Sequence, residues 1–389
     1  MTIRHAKDTR KDCALVLRPA DISDCELLFN WKNEPVTRQS AFNTSIISKE
    51  KHEKWFTDAL NNHDIKIYIL ESDGKPVGQT RINRKGETGI IDYSIDVYSR
   101  GRGLGKKLIS LLEEEIKRTG FTTILKAEVK KENTPSCHVF DSLGYSECEE
   151  ETFFSYTKYL RPLVIISNKE WHRKHVEEVA KRTGIEVVYL SKKGDVSFEN
   201  LKRYNPQYVF FPHWSYIIPA EVYENFECIV FHMTDLPFGR GGSPLQNLIE
   251  RGIYETKISA LRVCKELDAG DIYLKRPLSL WGAAEEIYLR AGELTKEMMI
   301  EIVKNRIHPV PQTGDSVTFK RRKPEQGCIQ NLESLEKVFD YIRMLDADGY
   351  PRAFLDSGRF HLEFERASMK NGFIHSDVKI SIKEEVGES

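Results

Sequence analysis

Two short stretches of the sequence combine residue types and spacings that can do chemistry. The first is Phe231-His232-Met233-Thr234-Asp235-Leu236-Pro237, followed by Arg240-Gly241-Gly242-Ser243-Pro244 and then by Leu267-Asp268-Ala269-Gly270-Asp271. An imidazole ordinarily titrates near ~6.5 and can carry a proton at neutral pH. A carboxylate within its reach orients the ring and favours the charged form. Taken singly, His232 reads as a core histidine and Asp268 as a turn cap. Together, at two loops of one domain, they read as a proton-transfer pair. The second stretch is Arg100-Gly101-Arg102-Gly103-Leu104-Gly105-Lys106. Glycines ahead of a helix let successive backbone N–H groups approach a pyrophosphate, and Arg100, Arg102 and Lys106 add positive charge. No G-K-[ST] follows, which excludes a P-loop. The motif is also not on a first strand with a ribose-binding acid downstream, which excludes a dinucleotide fold.

Both stretches need elements to position them. The glycine turn lies between a strand, Gly89–Val97, and a helix whose Leu104, Leu108, Leu111, Leu112 and Ile116 share one face. Upstream, the pattern predicts a strand at Ala14–Arg18, a helix at Cys25–Asn33 and a strand pair at Ile65–Glu71 and Val77–Asn83. Downstream come a strand at Thr122–Val129, a helix from Pro135 and a strand pair near Phe153–Tyr159. A second half begins at Pro162. There Leu163–Ser167, Glu186–Leu190, Tyr208–Pro212 and Cys228–His232 read as strands, with helices at Lys174–Thr183 and Ala283–Lys304. Strand and helix alternating over short turns imply a parallel sheet with crossover helices, and ligands bind beyond the carboxyl ends of such strands. His232 ends one of them. A tail of β character, Arg352–Val378, follows.

Composition sets the outer limits. The chain has 389 residues, so two or three domains are expected. With 58 Lys+Arg against 59 Asp+Glu the formal charge is −1, which argues against a nucleic-acid-coating protein. A hydrophobic share of 40% with 30% charged residues belongs to a folded protein. No apolar run approaches the ~18 residues of a membrane span, and the first residues carry no apolar signal core. Seven cysteines, Cys13, Cys25, Cys137, Cys148, Cys228, Cys264 and Cys328, form no C-x-x-C pair. They read as reduced thiols of a cytoplasmic protein and not as a disulfide frame or a metal site.

Over residues 14–160 the pattern resembles a known family. R-x-x-G-x-G after Ser94-Ile95-Asp96, then Glu132-Asn133 and Ser136…Phe140…Leu143-Gly144-Tyr145, is similar to the GCN5-related (GNAT) N-acetyltransferases. Trp31-Lys32-Asn33-Glu34-Pro35…Ser40-Ala41-Phe42-Asn43 with Lys51-His52-Glu53-Lys54-Trp55-Phe56 looks like the branch that acetylates amino sugars in pseudaminic acid synthesis. The resemblance implies acetyl-CoA held by Arg100, Arg102, Gly103, Gly105, Lys106 and Asn133. It also implies an oxyanion held by backbone N–H groups near Tyr93–Asp96. Relatives carry a tyrosine acid where this chain has Phe140, with His138 and Tyr145 close by in sequence. His52 and Trp31 face either the sugar or the core.

Residues 162–325 resemble the 10-formyltetrahydrofolate-dependent formyltransferases of methionyl-tRNA and of sugars. The matching residues are H-x-x-x-L-P-x-x-R-G-x-x-P with L-D-x-G-D, Pro309-Val310-Pro311-Gln312 and Phe319–Glu325. The resemblance implies His232 as proton carrier and oxyanion partner, Asp268 as its orienter, and Arg240, Gly241 and Gly242 on the cofactor side. The family's N-x-H has Val230 in place of asparagine here. His213, at the end of the preceding strand, is the candidate substitute, with Ser215, Thr234 and Asp235 behind it. Lys320-Arg321-Arg322-Lys323 is read as a solvated face or a structural strand, in preference to an RNA contact.

The resulting expectation is an α/β chain of three parts. Residues 1–160 form the GNAT domain, with a mixed sheet. Residues 161–308 form a Rossmann-like formyltransferase domain, and residues 309–389 a small C-terminal subdomain. Its function is expected to be acetyl transfer from acetyl-CoA and formyl transfer from 10-formyltetrahydrofolate to an amine or hydroxyl of an amino sugar, free or nucleotide-linked. No metal, nucleic acid or membrane is expected, and a homodimer is open. The alternatives are a methionyl-tRNA formyltransferase variant or a partly non-catalytic binding module.

Overall fold

The computed structural model describes residues 14–383; Cys13 lies outside them. The chain divides into two compact units, Met1–Leu160 and Arg161–Ser389.

The first unit is built on strands β1 (Leu15–Pro19), β2 (Ile65–Ser72), β3 (Lys75–Lys85), β4 (Thr88–Ile95), β5 (Ile124–Lys130), β6 (Ser146–Glu149) and β7 (Phe153–Tyr159). They form one sheet in the order β1-β2-β3-β4-β5-β7-β6. Its helices are α1 (Cys25–Asn33), α2 (Pro35–Ser40), α3 (Lys49–Leu60), α4 (Leu104–Thr119) and α5 (Thr134–Ser142). Sequence chemistry sets their ends. Ser48 caps α3, Asn133 caps α5, and Gly120 closes α4 in the left-handed region. Leu108, Ile109, Leu112 and Ile116 of α4 are fully buried against the sheet. The β4–β5 pairing is parallel and stops at Ile91↔Ala127, although both strands run on. The sheet therefore opens between residues 92–95 and 128–130, next to the turn that starts α4.

The second unit holds β8 (Leu163–Ile166), β9 (Val187–Leu190), β10 (Tyr208–Phe211), β11 (Cys228–His232), β12 (Phe238–Gly241), β13 (Glu255–Arg262), β14 (Ile272–Ser279), β15 (Val317–Phe319), β16 (Ala353–Ser357), β17 (Phe360–Lys370) and β18 (Phe373–Ile382). The main sheet has the order β14-β13-β11-β10-β8-β9. Its β9-β8-β10-β11 portion is parallel, as the alternating pattern implies, and β13 and β14 add an antiparallel edge. For β13 and β14 the reason is length: residues 263–271 are too few for a crossover and can join only antiparallel neighbours. Val164, Ile166, Val209 and Phe211 are buried on one face of the sheet. The helices are α6 (Val176–Thr183), α7 (Phe198–Lys202), α8 (Ala220–Tyr223), α9 (Pro244–Glu250), α10 (Ala284–Asn305) and α11 (Leu335–Leu345). β12 pairs with β15 as a two-stranded ribbon, and β16-β17-β18 form the small terminal sheet. No described helix is long and apolar enough to cross a membrane.

Candidate active site

His232 is the last residue of β11 and is buried. Its Nδ1 lies 3.5 Å from Asp268 Oδ2, and its Nε2 lies 2.7 Å from Gly239 O. Both ring nitrogens thus face oxygen acceptors. Asp268 comes from the β13–β14 connection. Arg262, at the end of β13, sits opposite Ile229 near the start of β11, so the connection has to curl back to reach the imidazole. Asp268 takes a left-handed backbone, φ 53°, at its tip. Its Oδ2 also accepts the Gly241 N–H at 2.9 Å. Gly241 cannot be anything larger: a Cβ there would stand 2.4 Å from the carbonyl oxygen of Phe319 on β15. The β12–β15 ribbon therefore presses one backbone N–H onto the carboxylate. Arg240 is bound through Gln312, whose Oε1 accepts from its Nη2 at 2.7 Å. Such a set can orient an imidazole, support its charge and move a proton.

In the first unit the glycine turn supplies the second arrangement. Gly101 and Gly103 have φ 75° and 74°, a region in which a side chain costs about 1 kcal/mol or more. Gly103 is the N-cap of α4, whose first-turn N–H groups have no intrahelical partner. These amides, beside exposed Arg102 and Lys106, whose Nζ donates to Ser142 O at 3.1 Å, form an electropositive turn that can take an anion. Arg100 does something else. Its guanidinium reaches Glu34 Oε2 at 2.8 Å, Thr37 Oγ1 at 3.0 Å and Ile95 O at 3.1 Å, so it ties α2 to the turn. That pair helps hold the Glu34 carboxyl at about 2, against the opposing effect of burial. Asn133 spends its side chain on the Ser136 N–H and lines an open cavity of about 520 Å³ with Gln39, Ser40, Phe42, Lys130 and Thr152.

Comparison with known proteins supplies the family. Residues 28–145 match the acetyltransferase (GNAT) family model, and residues 324–381 match the model of the methionyl-tRNA formyltransferase C-terminal domain. The chain is similar to the solved structure of methionyl-tRNA formyltransferase from Clostridium thermocellum. That similarity is 51% identity, TM-score 0.56, over 57% of this chain and 100% of that one. The chain belongs to the formyltransferases, with a GNAT domain fused ahead. Among curated relatives, the methionyl-tRNA formyltransferase of Mesoplasma florum is 24% identical over 217 residues, 54% of this chain and 68% of the relative. That of Rickettsia massiliae is 32% identical over 137 residues, 33% of this chain and 45% of the relative. The chain thus spans only part of the length of these curated relatives. Both families are transferases of acyl groups.

Within the formyltransferase unit, the other sequence candidates have settled partners. Val230 packs among Leu236, Leu261 and Ile272 and offers no donor. His213, φ 51°, bonds through Nε2 to Tyr350 Oη at 2.8 Å and packs on Trp171 and Tyr288. Its described partners include neither His232 nor Asp268. Asp235 is clamped by Lys257 at 2.8 Å and Lys275 at 2.6 Å. Thr234 Oγ1 donates to Gly239 O at 3.3 Å, and Ser215 is exposed. In the basic run, Arg322 is buried against Glu250 at 2.5 Å, a structural use. In the GNAT unit, Phe140 is fully buried among Tyr93, Tyr145 and Tyr156. His138 is exposed and Tyr145 Oη is buried without a partner. Trp31 donates to Asp96 Oδ1 at 3.0 Å and His52 Nε2 lies 3.0 Å from Cys25 O, both in the interior. Among described residues no group of three or more His, Cys, Asp or Glu side chains is arranged to hold a metal ion. Sequence reasoning passed over Gln312 as a site residue, although Pro309–Gln312 had marked the family resemblance.

Proposed function

We propose that this chain is a bifunctional acyltransferase acting on an amino sugar. The formyltransferase unit moves a formyl group from 10-formyltetrahydrofolate to an amine or hydroxyl. The GNAT unit moves an acetyl group from acetyl-CoA to an amine. The observation that carries the reading is the buried His232–Asp268 pair, with Gly241 N–H on the same carboxylate. The folate supplies a formyl carbon activated by its bond to nitrogen. On the protein side, His232 would take the proton the acceptor loses on attack, face the oxyanion in its charged form, and return that proton to the donor nitrogen as its bond to the formyl carbon breaks. Asp268 fixes the ring, while His213 shapes the neighbouring strand end. His232 Nε2 already has an oxygen partner in Gly239 O, so meeting a substrate oxygen exchanges one acceptor for another at small net cost. Arg240, Gly241 and Gly242 form the cofactor-side wall.

In the GNAT unit, Gly103, Gly105, Arg102 and Lys106 hold the pyrophosphate of coenzyme A, and Arg100 keeps their turn in place. Asn133 contributes from the α5 cap. Residues 92–95, paired with β3 but no longer with β5, turn their open side to the thioester oxygen. Six described cysteines are all free, which suits a reducing cytoplasm. Two acyl-transfer units on one chain suit successive decoration of one sugar, most simply a nonulosonate of the pseudaminic acid type or its nucleotide-linked precursor. The relatives named for methionyl-tRNA favour a second reading, formyl transfer to charged tRNA. The net charge of −1 and the inward-turned Arg322 weigh against it.

The test is a mass-spectrometric transfer assay with both acyl donors, a panel of free and nucleotide-linked amino sugars, and methionyl-tRNA. The expected result is a sugar heavier by one formyl group that vanishes with His232→Ala and with Asp268→Ala. An acetylated product is expected to persist in both variants. Formyl-methionyl-tRNA with no formylated sugar overturns the sugar reading. No acylation of any acceptor makes the chain a binding module.

A further inference from the structure

Asp268 has an unusual task for the tip of a hairpin connection. It adopts a left-handed backbone, which costs a non-glycine residue roughly 1 kcal/mol or more, yet its carboxylate must stay beside His232. Leu267, next to it, is 61% exposed and anchors nothing. Besides the Arg262 N–H on Asp271 O at its base and the Gly241 N–H on the carboxylate, what anchors the loop is one side-chain amide. Gln312 Nε2 donates to Asp268 O at 2.9 Å and to Gly270 O at 2.8 Å, clamping two carbonyls of the same turn. Its Oε1 accepts from Arg240 Nε at 3.2 Å and Nη2 at 2.7 Å. All four hydrogen-bonding positions of the amide are used, and the opposite orientation would set donor against donor and acceptor against acceptor. Gln312 is itself fixed from behind. Val310 and Ile272 exchange backbone hydrogen bonds of 2.8 and 2.9 Å, which staples the segment after α10 to the start of β14. Val310's side chain is 61% exposed, so the staple is made by the backbone.

We propose that Gln312 is the positioning residue of the formyltransferase site: it locks the Asp268 turn to the Arg240–Gly241 turn and thereby sets the carboxylate against His232. The inference rests on the proposed formyl transfer for its kinetic consequence but not for its structural one. It also means that the segment following α10 completes the site contributed by β11, β12 and the β13–β14 connection.

The experiment uses the full chain labelled with ¹³C′-arginine and ¹⁵N-glycine, which selects four Arg–Gly amides, at Gly101, Gly103, Gly241 and Gly252. The Gly241 N–H donates to the Asp268 carboxylate, so its resonance reports where that carboxylate is. Asp268→Asn is expected to move it. Gln312→Ala is expected to move it in the same direction by at least half as much, with the other three amides unchanged. For formyl transfer, Gln312→Ala is expected to lower kcat about 10–100-fold, with the folate KM within about twofold and no further loss in the double variant with Asp268→Asn. Gln312→Glu keeps the acceptor side for Arg240 but sets a carboxylate against two carbonyls. It should therefore fail to rescue. The inference is overturned if the Gly241 amide stays in place in Gln312→Ala while Asp268→Asn moves it. If the amide moves but the unsubstituted chain formylates nothing, the positioning role stands and the proposed function falls.

Discussion

His232 and His172 are two buried histidines of the same unit, and they differ in nearly everything but depth. His232 has a carboxylate 3.5 Å from one ring nitrogen and a carbonyl 2.7 Å from the other. His172, in the turn after β8, has no hydrogen-bond partner on either ring nitrogen, and His175 Nε2 beside it has none either, the Glu293 carboxylate standing 4.0 Å away. Burial, with the charges of His213, His175 and Lys174 behind it, pushes His172 down to about 3. A deep ring with cationic neighbours and no acceptor on either nitrogen is therefore inert, because a ring that cannot be charged cannot relay a proton. The oxygen partners are what make one usable. A perturbed imidazole near a strand end is for that reason a poor guide to a site unless its partners are known.

The largest expected effect separates the two directly. Asp268→Asn keeps the shape of the turn and removes the charge, so kcat for formyl transfer should fall by about 10²–10⁴. His172→Gln, with no reacting partner to lose, should leave kcat within a few-fold. Steady-state kinetics on the two purified variants decides it, and equal losses would break the comparison.

Acid should act the other way round, on stability through the His172 group. His213 is held at about 4 by burial and the Lys169 charge, and His175 is lowered chiefly by burial, with Glu293 opposing. Each stays neutral in the folded chain and gains its proton on unfolding. The unfolded state therefore binds more protons as pH drops below ~6.5, and stability falls with pH from there to about 4 for His213 and about 3 for His172. Each such histidine contributes about 1.4 kcal/mol per pH unit in that window. Urea midpoints of the second unit at pH 7, 6 and 5 should decline accordingly, and His172→Phe should flatten the decline. A midpoint independent of pH would show that these rings are reached by water.

Much of this arrangement was legible in the sequence, and the limits of reading it are physical. Cys228–His232 and Cys25–Asn33 stand as read, and the helix read at Ala283–Lys304 lies within one residue of Ala284–Asn305, because uninterrupted apolar runs and faces mark them. The His232–Asp268 pair was legible because His232 ends an apolar run and Asp268 sits in a glycine-bearing loop ahead of the next one, at Ile272. Arg100 was not, since its spacing from Gly103 says phosphate while its actual partner, Glu34, lies 66 residues upstream. Gln312 was hidden for the same reason, being an isolated amide whose bonds span 42 to 72 residues. Periodicity reports which face is buried; it does not report which polar atom meets which.

The smallest effect is also the sharpest test of what His172 and its neighbours lack. Gly292, in the middle of α10, faces them, and a Cβ there would meet His172 Cε1 at 3.5 Å, His175 Nε2 at 3.6 Å and Trp171 Cδ1 at 3.6 Å, all ordinary contacts. Gly292→Ala should therefore only gain helix propensity, about 1 kcal/mol, or ~2–4 °C in the melting of the second unit. Serine forfeits about half of that propensity but offers a hydroxyl beside His175 Nε2, which has no hydrogen bond, worth about 0.5–1.5 kcal/mol if it bonds. Gly292→Ser should accordingly melt at or above Gly292→Ala at pH 7. The same comparison at pH 5 covers the charged ring as well, from which the hydroxyl would accept instead of donate. A serine variant that melts below the alanine variant at both pH values would show that the hydroxyl finds no ring nitrogen. The cluster would then be closed to polar partners as well as to protons.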